Sequence, residues 1–228
     1  MSKLLALETA TAACSVALWL NGKITQRFEI APQRHSYIIL DLVDELLSDA
    51  GINLRDLDAI TFGSGPGSFM GVRIAAGVAQ GIAYGINLPV IPVSTLQALA
   101  QAAYQKINSE QVIAGWDARM DYIYWGVYQA DERKIMQAIT GDHVDRPWDI
   151  QFLQGKWIGV GNAWPVYRSH LPSDFLFIEK EIYPDAASVA VIADRKFEQD
   201  DVLPPEKAEP TYIREKVAYP LQDKDFKK

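Results

Sequence analysis

The 228-residue chain, 49% hydrophobic and 22% charged, has the composition of an ordinary globule, with bulk enough to bury a core as one large domain or two small ones. A single cysteine, Cys14, excludes an intramolecular disulfide framework and fits a reducing compartment. No charged-then-apolar leader and no apolar run of about 18 residues argue for export or a membrane span, so the cytoplasm is the expected location.

Residues 4–7 read as a buried strand, and 15–20 and 24–30 as a hairpin turned by Asn21-Gly22, the strongest short hairpin signal. A helix is expected over 36–50 with Gly51 as its left-handed cap, then a strand at 59–62, a glycine-rich loop, a helix over 70–85, a strand at 90–93 and a helix over 95–105. After a polar turn at Asn108-Ser109-Glu110 a similar order begins again. Strands are expected at 112–116, 122–128 and near Ile135, followed by a helical or loop stretch, a strand at 157–160, and helical segments at 163–168 and 186–195. Two copies of one β-β-β-α-β-α-type unit predict an internal duplication, divided as 1–107 and 108–228.

Two helices have too much apolar surface. In 37–50, Ile39, Val43, Leu46 and Ala50 fall on one line, and Leu42, Leu47, Ile38 and Leu40 widen the apolar arc to roughly 200°. In 72–85 only Arg73 and Gln80 are strongly polar, and Gly77, Gly81 and Gly85 recur every four residues. Each interior glycine costs about 0.5–1 kcal/mol against alanine, so three in one helix ask for a compensating close contact. The expectation is a pairing surface built from Tyr37, Leu40, Val72, Ala76, Gly77, Ala79, Gly81 and Ala83; the other reading is a helix buried within its own domain.

The loop between the fourth strand and this helix, Phe62-Gly63-Ser64-Gly65-Pro66-Gly67-Ser68-Phe69-Met70-Gly71-Val72-Arg73, has the form of a phosphate cradle. Strand, glycine loop and helix in that order can aim N–H groups and a positive helix end at an anion, which makes Gly65, Gly67 and Ser68 a candidate phosphate or nucleotide loop. The nucleotide signatures fail, however: no Lys-Ser or Lys-Thr pair follows at P-loop spacing, and Gly63-x-Gly65-x-x-Ser68 lacks a third glycine. A tight turn needed for packing is the other reading. His35, His143 and His170 share no metal-ligand spacing, and Cys14 sits in a small apolar run where a buried hydrophobe is the ordinary reading. Trp116, Tyr122, Tyr124, Trp125 and Tyr128 alternate along strands, which favours sheet packing over base stacking. A net charge of −7, with its one dense basic cluster in the tail at 224–228, disfavours a direct grip on nucleic acid.

Taken with Leu4-Leu5-Ala6-Leu7-Glu8-Thr9-Ala10-Thr11, Arg34-His35-Ser36 and Leu88-Pro89-Val90-Ile91-Pro92-Val93-Ser94-Thr95-Leu96, the glycine loop resembles that of the TsaB (YeaZ) family. The resemblance is dense over 3–105. It is thinner beyond, resting on Asp117-Ala118-Arg119-Met120 with Tyr124, on Gly159-Val160-Gly161-Asn162 and on Pro210-Thr211-Tyr212-Ile213-Arg214. Glu8 stands where the family usually has Asp, and Met70 where it usually has Thr.

The resemblance implies an α/β, actin-like ATPase (ribonuclease H-like) fold with duplicated β-β-β-α-β-α units. It further implies a non-catalytic scaffold subunit for threonylcarbamoyl transfer to the adenosine beside the anticodon of tRNA. The implied partners are a TsaD-type metalloenzyme, a TsaE-type ATPase and, when the chain is alone, a second copy; tRNA is reached only through the complex, and no membrane is involved. No cofactor of its own is implied, and ATP or ADP enters only within the multi-subunit complex. TsaD-type relatives carry two metal-binding histidines four apart at the start of the third helix; Thr95 and Leu99 stand at the corresponding positions, and leucine cannot ligate. Glu8 and Asp117 fall where actin-like ATPases hold Mg²⁺ and orient water, but residues 9–14 supply neither the glycine nor the lysine that phosphate requires. The rival readings are a stand-alone ATPase or kinase, a zinc peptidase, and an RNA-binding protein acting alone.

Overall fold

Leu4 and Ala6 point to one face of strand β1 (Lys3–Glu8) and Leu5 and Leu7 to the other, and all four are fully buried, so this strand is covered on both sides. The computed structural model describes residues 2–153, 155–178 and 180–214, and the basic tail at 224–228 lies outside them. β1 pairs antiparallel with β2 (Ala13–Leu20), which turns through Asn21 and Gly22, both at positive φ, into β3 (Lys23–Ile30). Helix α1 (His35–Ala50) follows and ends on Gly51 in the left-handed conformation. Then come β4 (Ala59–Gly65), α2 (Phe69–Ile86), β5 (Val90–Ser94) and α3 (Thr95–Ile107). The sheet order is β3-β2-β1-β4-β5, with β4 and β5 parallel to β1.

The second half repeats this plan. β6 (Gln111–Asp117), β7 (Ile123–Ala130), β8 (Met136–Ala138), β10 (Ile158–Val160) and β11 (Leu176–Phe177) form a sheet in the order β11-β10-β6-β7-β8, the same 5-4-1-2-3 arrangement. The single third strand expected near Ile135 is divided: β8 begins at Met136, and β9 (His143–Asp145) pairs separately with β7. The expected helix at 163–168 shortens to α4 (Ala163–Val166) followed by a 3₁₀ turn at Arg168–His170. In place of long helices, aromatic side chains fill one face of this sheet, with Trp164 fully buried among Phe152, Phe175 and Trp125.

The last helix, α5 (Ala186–Glu198), corrects the domain division at 107/108. Ala186, Val189, Ala190 and Ala193 pack on Leu4, Ala6, Ala17 and Val93 of the first sheet, while α3 sends Leu96, Leu99 and Ala103 against Val112, Ala114 and Val160 of the second. Each half's final helix therefore covers the other half's sheet or its junction, and α3 and α5 lie side by side between them. The strap after α5 also returns to the first half: Leu203 and Val90 exchange both backbone hydrogen bonds, and Thr211 N–H donates to Ser64 O at 2.7 Å.

The small side chains of α2 are divided by face. Val72, Ala76, Ala79 and Ala83 are buried against the first sheet, which removes them from the expected pairing surface, whereas Gly77, Gly81 and Gly85 are exposed. Helix α2 has 18 residues with a mean hydropathy of 1.3, so by length and composition it could cross a membrane, contrary to the sequence expectation. One third of it is buried inside the molecule.

Candidate functional site

Three glycines spaced by four make room for one turn of chain. A Cβ on Gly63 would stand 1.8 Å from Glu8 Oε2, one on Gly67 2.6 Å from Ala10 O, and one on Gly71 2.1 Å from Thr9 O. The glycines of the loop thus receive the Glu8–Ala10 turn at the end of β1, as the packing reading requires. Two loop N–H groups are also spent: Ser68 N–H donates to Ala10 O at 2.7 Å, and Gly65 N–H to Thr95 Oγ1 at 3.2 Å. Ser68 then caps α2, its Oγ accepting from Gly71 N–H.

Glu8 is sealed beneath this loop. Ala10 N–H donates to its Oε1 at 2.6 Å and Thr95 Oγ1 to its Oε2 at 3.2 Å. Burial dominates and pushes its pKa up to about 7, against those two hydrogen bonds and with a smaller upward push from Asp185. Thr95, at one of the two positions implied for metal binding, is thus a hydrogen-bond relay between Glu8 and Gly65. Leu99 at the other is core.

Above the loop a cleft of about 830 Å³ opens between the halves, lined by Ala10 to Ala12, Gly67 to Val72, Trp116 to Met120, Tyr124, Asn162, Tyr183 and the strap from Thr211 to Arg214. Asp117 lies on its wall; Glu8 does not line it, so the expectation of two carboxylates facing one cleft is corrected. Asp117 is engaged by Arg119 N–H, the Arg119 guanidinium and the Tyr167 hydroxyl, and burial together with that carboxylate pushes the Tyr167 pKa up to about 12. Next to it Arg119, Met120 and Asp121 all adopt positive φ, and Arg214 fastens this turn from the strap by donating to Ala118 O at 2.8 Å. The aromatic alternation divides by face: Trp125 packs in the core on one side of the sheet, whereas Trp116, Tyr124 and Tyr128 share the other, where Tyr128 is buried and Trp116 and Tyr124 line the cleft.

The histidines are dispersed. His35 Nε2–H donates to Ala13 O at 3.2 Å, His143 stacks on Trp125 and His170 lies against Trp148. Among the described residues no group of three or more His, Cys, Asp or Glu side chains is placed to hold a metal ion. Cys14 is buried, and desolvation pushes its thiol up to about 12, far from thiolate chemistry.

The outer face of α1 and α2 is the other candidate site. Tyr37 is 77% exposed, Tyr84 72%, Met70 62% and Leu40 53%. Between them a Cβ at Gly77, Gly81 or Gly85 would meet nothing within 4 Å, so the glycines leave an open channel along α2. Tyr84, absent from the expected surface, was legible as the residue one helical turn after Gly81. The approach of Tyr212 from the strap to Phe69 on α2, 6.3 Å between ring centroids, had no sequence signal.

Residues 27–223 match the family described as "TsaD: tRNA N6-adenosine threonylcarbamoyltransferase". The chain is 40% identical to the tRNA threonylcarbamoyladenosine biosynthesis protein TsaB of Escherichia coli (strain K12) over 223 residues, covering 95% of this chain and 96% of that one. The chain belongs to the TsaB (YeaZ) family. The TsaB protein of Haemophilus influenzae is 37% identical, with 95% of each chain covered. The solved structure of YeaZ from Pseudomonas aeruginosa superposes with a TM-score of 0.88 at 39% identity, covering 93% of this chain and all of that one. The fold of this TsaB-family chain is accordingly the ribonuclease H-like, actin-like one, duplicated as the two sheet orders show.

Proposed function

We propose that this chain serves the synthesis of threonylcarbamoyladenosine in tRNA as a non-catalytic scaffold subunit, pairing with a TsaD-type metalloenzyme and supporting the binding of a TsaE-type ATPase. The observation that carries this reading is the exposed apolar face of α1 and α2, with its open glycine channel. Contiguous apolar surface of this kind on a folded chain is the mark of an interaction site, and small residues let a second backbone approach closely. The site chemistry supports the same reading. Thr95 and Leu99 are committed to the loop and the core, and Glu8 is withdrawn from the cleft, so the groups that a metal-dependent transfer or an ATP hydrolysis would use are spent on packing. In this account ATP or ADP enters only with the assembled complex, tRNA is held by other subunits, and the complex works in the cytoplasm. Without its partner the chain pairs with a second copy through the same face.

Leu40→Asp tests the proposal, because Leu40 is exposed at the edge of α1 and a charge there leaves the core intact. The variant should melt with the wild type yet lose capture of a purified TsaD-type partner and shift to monomer in light scattering. Unchanged capture and unchanged mass would remove this face from the account. A rise in melting temperature of the isolated chain with ATP·Mg²⁺ would instead favour a stand-alone ATPase.

A further inference from the structure

Arg73 is the one Lys or Arg in α1 and α2 together, and it sits on the outward face of α2, one turn before Gly77. Its guanidinium carbon lies 3.4 Å from the centroid of the Phe69 ring, one turn earlier, and 5.4 Å from that of Tyr212 on the strap. All three side chains are exposed. Stacking on a ring uses the face of a guanidinium and leaves its N–H edge for an acceptor, and here no acceptor within the described residues reaches it. An arginine held in place by two aromatic rings, with its hydrogen-bonding edge unspent, is pre-organised for a planar anion.

Resting on the reading of the α1–α2 face as a partner surface, we propose that Arg73 is the polar anchor of that surface and takes a side-chain carboxylate of the partner protein in a bidentate pair. The remaining charges describe the rest of that partner. On α1, Glu45 and Asp49 are paired with Arg27, but Asp41, next to Leu40, and Asp44, one turn after it, have no partner among the described residues. The complementary surface therefore carries a carboxylate opposite Arg73, small or apolar side chains along the Gly77–Gly81 channel and a cation opposite Asp41 and Asp44. A different protein fits this better than a second copy, since two chains each at −7 repel at long range.

The experiment measures the affinity of the full chain for a purified TsaD-type partner, at low and high salt, for wild type, Arg73→Ala, Arg73→Lys and Leu40→Asp, with melting curves as the folding control. Removing one member of a desolvated, hydrogen-bonded charge pair should weaken binding roughly 30-fold or more. Arg73→Lys, which keeps the charge but loses the fork, should fall between, and the salt dependence should diminish in Arg73→Ala. If Arg73→Ala binds within twofold of wild type while Leu40→Asp fails to bind, the surface stands and the anchor is overturned. If Arg73→Ala abolishes self-association in light scattering but leaves partner capture unchanged, the carboxylate belongs to a second copy and the proposal is equally overturned. Binding that none of the variants alters would remove the surface reading itself.

Discussion

Glu8 is a carboxyl group placed where water cannot reach it, in a cavity made by removing a side chain from Gly63. Because its folded pKa of about 7 lies above the ordinary value of 4.5, the folded chain holds this proton more tightly than the unfolded chain does. Its contribution is fully present below about pH 4.5 and is lost as pH rises towards 7, by an amount on the order of 3 kcal/mol. Glu8→Gln keeps an acceptor for Ala10 N–H and offers Thr95 a donor, but it cannot ionise. The variant's advantage over wild type should grow by about 2–3 kcal/mol between pH 5 and pH 8, read from urea midpoints at the two values. A constant difference across that range would mean that Glu8 titrates normally and is hydrated in solution. This residue was legible as a chemically interesting carboxylate; that it is a packing residue beneath a loop was not, since nothing in β1 reveals what Gly63 makes room for.

At the scale of elements, six of the seven glycines of 63–85 belong to two different sets. Gly63, Gly67 and Gly71 face inward onto the Glu8–Ala10 turn, whereas Gly77, Gly81 and Gly85 face open space. The same substitution should therefore have opposite effects. Gly71→Ala drives a methyl group into the Thr9 carbonyl, where backbone must move, and should cost about 1–3 kcal/mol. Gly81→Ala only removes helix-interior flexibility and should stabilise the isolated chain by about 0.5–1 kcal/mol, while narrowing the channel and weakening partner capture. Thermal melts of the two variants check the first contrast and a capture assay the second. If Gly81→Ala destabilises the lone chain, the channel is closed in solution. The four-residue spacing is visible in the sequence within each set, with a step of six residues between Gly71 and Gly77. The opposite roles of the two sets are not, because only the placed backbone shows which way each Cα faces.

For the whole molecule, the exchange of final helices makes the halves interdependent. A fragment ending at residue 107 would carry a complete first sheet in sequence, yet it would lack α5, which covers Leu4, Ala6, Ala17 and Val93. It would also carry α3 without the second sheet on which Leu96, Leu99 and Ala103 rest. Such a fragment should be insoluble or melt without a cooperative transition, as circular dichroism would show. Cooperative unfolding of 1–107 near the temperature of the full chain would contradict this account. The cleft follows from the same arrangement, since its walls come from both halves and its edge is the strap from Thr211 to Arg214.

The sequence by itself determined the order and type of the elements in the first half, the Asn21-Gly22 hairpin, the cap at Gly51 and the repeated unit, because period, turn chemistry and capping are local properties. It also marked α1 and α2 as carrying more apolar surface than one sheet can cover. The tertiary structure alone decided which residues of α2 are covered: Val72, Ala76, Ala79 and Ala83 went to the sheet, and Gly77 and Gly81 were left outside with Tyr37 and Leu40. It alone decided that α5 belongs to the first sheet, that Glu8 is shut away from Asp117, and that Arg73 meets Tyr212. Periodicity states that a face is apolar and a glycine states that room is needed, but the partner that fills the face or the room comes from a distant part of the chain, and only the packed fold brings it there.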